Sequence, residues 1–163
     1  VNNMSWTYQS DPVTERIRAA LLAAGLPDTV VEVDDSVATA ADAAAVLGCE
    51  VGAIANSLIF ECDGEPLLIL SSGAGRVDVR LVARLHGLGK IRRATPEFVL
   101  EHAGQPVGGV APVAHPAPLR AFLDTDLRRY PLLWCGAGSH QAMLSIGYDE
   151  LLRVTDAVET AVR

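Results

Sequence analysis

Between Gly104 and Pro116 the chain reads Gly-Gln-Pro-Val-Gly-Gly-Val-Ala-Pro-Val-Ala-His-Pro, with three glycines and three prolines in thirteen residues. Proline fixes φ and removes a backbone donor, while glycine opens conformations that other residues resist. Neither a packed helix nor a central strand is built from such a run. A helix is signalled before it and an apolar strand after it, so the run predicts a loop at the mouth of a scaffold. There Gly108 and Gly109 would let bare backbone approach a ligand. Composition alone leaves a plain surface loop as the alternative.

A chain of 163 residues buries a real core without metal or disulfide staples. We expect residues 1–10 to form an N-terminal tail and residues 11–163 a single domain. Half the residues are hydrophobic but only 5% are aromatic, so the core is aliphatic. Cys49, Cys62 and Cys135 are odd in number and lack C-x-x-C spacing, which argues for a reducing cytosol and against a zinc ribbon or disulfide framework. No apolar run approaches the ~20 residues of a membrane span. The opening Val-Asn-Asn-Met-Ser-Trp has neither a basic head nor an apolar stretch, so a cytoplasmic location and no membrane partner are expected.

The net charge of −7 opposes tight non-specific nucleic-acid binding, and no DNA partner is expected. The charge is uneven, however. Residues 76–93 hold Arg76, Arg80, Arg84, Lys90, Arg92 and Arg93 against one acid, Asp78. A solvated helix face accounts for such a cluster; a landing strip for a phosphate-bearing partner is the functional alternative.

Asp11-Pro12 opens a helix over 12–24 that Gly25 closes, and 30–33 reads as a short strand. Ser36 or Thr39 caps an Ala-rich helix stopping at Gly48. Ile54–Glu61 and Pro66–Leu70 form a hairpin across Asp63-Gly64, the dipeptide suited to a type I′ turn. A helix through Val79, Val82 and Leu85 follows, and Arg76, Arg80 and Arg84 are expected to share one of its faces. Then come a strand at 90–94, a helix from Thr95 to Gly104, strands at 119–123, 132–135 and 142–146, and a helix at 148–154. The order predicts an α+β fold: one mixed, mostly antiparallel sheet, curled into a barrel-like core and flanked by short helices.

The glycine turns at 73–75 and 136–138 match neither G-x-x-x-x-G-K-[ST] nor G-x-G-x-x-G, so triphosphate and dinucleotide sites fail on spacing. The cysteines have no adjacent base, and His86, His102, His115 and His140 lie on different elements, so neither a thiol nucleophile nor a metal or other cofactor is expected. What remains is a set of polar groups beside apolar strands: Asn56 and Ser57, Asp124, and Ser139-His140 in the bend Gly136-Ala137-Gly138. Each has a plain structural explanation. Jointly they outline a pocket with backbone amides from two glycine bends.

Thr95-Pro-Glu-Phe-Val and Gly104-Gln-Pro-Val-Gly-Gly-Val-Ala-Pro resemble the core of the YbaK/EbsC-like aminoacyl-tRNA editing domains, and the likeness runs from about Val37 to Thr155. Asn56-Ser57-Leu58-Ile59-Phe60, Gly108-Gly109-Val110-Ala111-Pro112, Leu123-Asp124 with Leu127, and Ala137-Gly138 match successive motifs of that family. The resemblance implies hydrolysis of the ester between a small amino acid, such as Ala or Cys, and the 3′ end of a tRNA, usually that for proline. No metal or cofactor is implied. Its members work alone or inserted in prolyl-tRNA synthetase, so a tRNA 3′ end, met weakly or through a synthetase, is the expected partner. The ester would lie among Asn56, Ser57, Gly108, Gly109, Pro112, Asp124, Gly136, Ala137, Gly138 and Ser139. Asn56 and His140 would be catalytic, and Arg76, Arg80 and Arg84 would contact tRNA.

Two departures stand out. The family's hallmark lysine falls on Asn56, which neither titrates nor carries a charge, and Lys90 is the only lysine in the sequence. Gln141 stands where the family has a glycine. A deacylase and a non-hydrolysing binding module of the same fold, holding an aminoacyl end, amino acid or nucleotide, are therefore both open, with a bare interaction protein as a third reading.

Overall fold

Four of the five α-helices among the described residues begin where a capping side-chain oxygen meets the free N–H groups of a first turn. The computed structural model describes residues 11–163, so the expected tail at 1–10 lies outside the described residues. Asp11 accepts from Val13 N–H and opens α1 (Pro12–Ala23). After β1 (Val31–Glu32), Thr39 caps α2 (Ala40–Leu47). β2 (Ile54–Cys62) and β3 (Glu65–Ser72) form the hairpin, and Asp63 and Gly64 both take positive φ, 53° and 82°, as a type I′ turn requires. Asp78 caps α3 (Val79–His86), which leads to β4 (Ile91–Arg93). Thr95 caps α4 (Pro96–Ala103). The chain then runs through β5 (Arg120–Asp124), β6 (Leu133–Gly136), β7 (Ala142–Ile146), α5 (Tyr148–Thr155) and β8 (Val158–Thr160).

All eight strands join one sheet in the order β1-β7-β6-β2-β3-β5-β8, with β4 paired to β2 beside that path. Pairings β1–β7, β2–β3, β2–β4 and β6–β7 are antiparallel, while β2–β6, β3–β5 and β5–β8 are parallel. The sheet is thus mixed and mostly antiparallel, but it does not close. Its outermost strands, β1 and β8, are two and three residues long and do not pair with each other, so the expected barrel is an open sheet.

Helices cover both faces. Ile17 and Leu21 of α1, Val99 and Ala103 of α4 and Leu151 of α5 pack with Leu68, Leu70, Leu123 and Leu144. On the other face Val82 of α3 packs with Leu67, Ile69 and Phe122, and Ala43 of α2 packs with Ile54 and Met143. This two-sided burial explains why β3 reads as an unbroken apolar run rather than an alternating one. Among the described residues no helix is long and apolar enough to cross a membrane.

β2 organises the sheet. One edge pairs with β3 along residues 55–62. The other edge is divided: β6 takes Ile54 and Ala55, and β4 takes Phe60 to Cys62. Between them Asn56 to Ile59 have no strand partner on that side among the described residues.

Two further expectations change. Arg76 precedes the helix it was expected to share, because Asp78 accepts from Arg80 and Leu81 N–H and starts α3 only at Val79. The helix carries Arg80 and Arg84 alone. β8 was not foreseen, being three residues long with Val158 and Glu159 exposed.

Asp124 is fully buried at the end of β5. It accepts from Ser72 N–H at 2.9 Å and Asp126 N–H at 2.9 Å, and pairs with Arg163 at 3.0 Å. Removing its carboxylate orphans the buried Ser72 amide and leaves Arg163 with Asp126 as its one carboxylate partner among the described residues. Asp124→Ala is expected to lower stability by about 2–4 kcal/mol in urea unfolding.

Candidate functional site

The unpaired stretch of β2 forms the floor of a cavity of about 490 Å³. Its walls are the start of α2 with Ala38 and Thr39, Arg93 and Ala94 at the end of β4, Val107, Gly108 and Val110 of the glycine–proline loop, and Gly136 of β6. Among the described residues Arg93 is the one charged side chain in the lining, and Ser57 and Thr39 supply hydroxyls. Among the described residues no carboxylate, thiol or imidazole lines it. Among the described residues no cluster of His, Cys, Asp or Glu could hold a metal.

The loop is held from inside. Gln105 is fully buried; its amide donates to Val113 C=O at 3.0 Å, and its carbonyl accepts from Ala111 N–H. His115 Nε2 meets Ala111 C=O at 2.8 Å. Burial holds His115 below the ordinary histidine pKa of 6.5, so it packs as the neutral ring donating to that carbonyl.

The two glycine bends pack backbone to backbone. Gly138 N–H donates to Gly109 C=O at 2.7 Å. A Cβ on Gly109 would meet Ser139 backbone at 3.0 Å, and one on Gly136 would meet Val110 O at 2.9 Å. Thr14 of α1 locks the second bend by donating to Ala137 C=O at 2.7 Å. This contact has a consequence for the amides. Gly109 N–H bonds Pro106 C=O and Ala137 N–H bonds Ala142 C=O, so with Gly138 three amides expected to face a ligand are committed internally. Closeness of two bends, rather than an anion nest, is what these glycines supply.

The structure brings Asn56, Ser57, Gly108 and Gly136 together in the lining. Gly109, Pro112, Ala137 and Gly138 lie buried behind the wall, and half-buried Ser139 is in the second bend. His140 is exposed, and its Nε2 meets Val107 C=O at 2.9 Å, which fixes the rim. Asp124 sits two strands from β2 in the network with Arg163. Arg76, Arg80 and Arg84 are exposed and outside the lining. Cys135 is fully buried and pushed up to about 12 by desolvation, which removes it as a nucleophile.

Sequence reading missed Arg93 as a pocket residue, although it stands in the basic run. Its place follows from pairing opposite Phe60, a contact set by β4 folding back on β2.

These features describe an α+β domain with a cavity at a gap in its own sheet. A model of the aminoacyl-tRNA editing domain family matches residues 34–154. The chain belongs to that family. The Bacillus subtilis protein YwhH, itself uncharacterized, is 31% identical over 123 residues, 75% of this chain and 78% of that one. A proline–tRNA ligase of Nitratidesulfovibrio vulgaris is 33% identical over 90 residues, 55% of this chain but only 16% of the ligase. A solved structure of a proposed trans-editing enzyme for prolyl tRNA synthetase is 40% identical with a TM-score of 0.89, covering 95% of this chain and 99% of that one.

Gly138 has φ +98°, and a Cβ there would fall 2.8 Å from Val13 Cγ1 and 2.9 Å from Ile17 Cδ1. Gly138→Ala is expected to cost about 2 kcal/mol or more in urea unfolding, from the left-handed backbone and the overpacking together. His115 gives a pH dependence of definite sign. Its folded pKa lies below the unfolded 6.5, so its contribution is complete above 6.5 and is lost as pH falls below that value. Unfolding midpoints measured from pH 8 to 5 should fall more steeply for the wild type than for His115→Gln.

Proposed function

We propose that this protein is a trans-acting aminoacyl-tRNA deacylase, removing a wrongly attached small amino acid from the 3′ end of tRNA, with tRNA for proline the leading substrate. In the reaction a water oxygen adds to the ester carbonyl carbon and the C–O bond to the ribose breaks. The ribose oxygen leaves with a proton, giving a free amino acid and uncharged tRNA. The observation that carries this reading is a cavity of about 490 Å³, in a member of the editing-domain family, whose single charged lining residue is a cation.

In this reading Arg93 pairs with a phosphate of the tRNA end, and Asn56 donates its amide to the ester carbonyl. His140 holds the rim through Val107. With no titrating base in the lining among the described residues, catalysis rests on positioning and on stabilising the oxyanion. Arg76, Arg80 and Arg84 meet the tRNA body, and the acidic remainder makes that contact weak and steeply salt-dependent, which a synthetase partner would offset. Such work belongs in the cytoplasm.

A second reading has its own observation: Asn56 stands where the family carries lysine. The pocket would then hold an aminoacyl end without turnover.

Deacylation of Ala-, Cys- and Ser-charged tRNA for proline separates the two. A deacylase should turn over at least one, Asn56→Ala should lower kcat/KM about a hundredfold, and Arg93→Ala should raise KM about tenfold with kcat little changed. A silent wild type whose Asn56→Lys variant gains activity would establish the binder.

A further inference from the structure

In an antiparallel ladder successive residues direct their N–H and C=O to opposite edges. Ile54 C=O accepts from Gly73 N–H, so Ile54 faces β3, and with an unbroken register Asn56, Leu58 and Phe60 do likewise. Ser57 and Ile59 therefore direct their main chain to the other edge, where β6 stops at Ala55 and β4 begins at Phe60. Among the described residues no strand pairs with the N–H and C=O that Ser57, and the N–H that Ile59, present to the cavity floor. Ser57 Oγ is buried there and has no partner among the described residues. Buried main-chain groups left unpaired in a folded protein are costly, and a site made of them is poised for a ligand that completes the ladder.

We infer that Ser57 reads the aminoacyl group as a strand reads its neighbour: its C=O accepts from the ligand's α-ammonium, and its N–H donates to the ligand's ester carbonyl. This rests on the deacylase reading in that it names how the same pocket takes its substrate. An α-amino acid carries donor and acceptor on adjacent carbons, N–Cα–C=O, the unit one residue offers across a ladder. Main-chain recognition of this kind is indifferent to the side chain, which is left to the apolar lining formed by Phe60, Val99 and Met143. The chemical class selected is an ester of a free α-amino acid, and an acyl group without the amine is rejected.

Two stable adenosine analogues test this on the intact protein: 3′-alanylamino-3′-deoxyadenosine and its 3′-propionylamino counterpart, which lacks only the amine. The alanyl compound should bind at least about tenfold tighter. In ¹⁵N NMR of the free protein the Ser57 and Ile59 amides should exchange with solvent faster than those of Asn56, Leu58 and Phe60, and the alanyl compound should slow exchange at Ser57. Ser57→Pro removes the inward N–H but no bond to β3, since that N–H faces away from it; it should lose more affinity than Ser57→Ala. Should the proline variant not fold, the exchange pattern of the wild type decides. Equal affinity for the two compounds, or protection of Ser57 equal to that of Leu58 in the free protein, overturns the inference and leaves the pocket reading standing. Binding of neither compound overturns both.

Discussion

The divided edge of β2 is the constraint on which the rest depends. A central strand ordinarily has both edges filled along its length; here one edge is filled by two strands that never meet. Each is stopped by its own sequence. β4 runs into Thr95-Pro96, where a cap and a proline at the first helical position turn the chain into α4. β6 runs into Gly136-Ala137-Gly138, and the positive φ of Gly138 bends it away beneath α1. The gap is therefore written as two stop signals, and the pocket is the space they leave.

The walls follow from the same economy of elements. The glycine–proline loop covers the gap because Gln105, buried and bonded three ways, ties its two halves together. The loop approaches β6 closely because Gly109 and Gly136 have no side chains to keep them apart. That approach uses the amides of Gly109 and Gly138 within the protein. A glycine-rich bend is thus compatible with a binding site in two quite different ways: by offering amides to a ligand, or by letting two backbones meet so that another element is exposed. Here the second holds, and the exposed element is β2.

Much of this was legible in the chain. Helix starts at Asp11, Thr39 and Thr95 rest on local capping chemistry, and the Asp63-Gly64 turn on local backbone preference, so each needs only a few adjacent residues to be read. The Asn56-Ser57 interruption of an apolar strand pointed to the pocket floor. What escaped depends on contacts between distant segments. Arg93 enters the site through pairing with Phe60, Asp124 leaves it for Arg163, and β8 exists because β5 offers an edge. Arg76 escaped for a local reason instead: its four-residue spacing to Arg80 was outweighed by the cap at Asp78.

The resulting site has an unusual division of labour. Among the described residues its one charged group is an arginine, and its other polar groups are an amide, two hydroxyls and a stretch of main chain. None of these takes a proton from water at neutral pH. In the proposed deacylase, catalysis by such a set would come from geometry, and geometry is what β2 supplies. Asn56 and Leu58 are bonded to β3 on either side of Ser57, so the inward N–H and C=O cannot reorient when charge develops on a carbonyl oxygen. A lysine at position 56 would bring a mobile point charge to the same floor. Asparagine brings a neutral donor beside main chain that β3 holds in place, and a donor so held stabilises an oxyanion without reorganisation as the barrier is crossed.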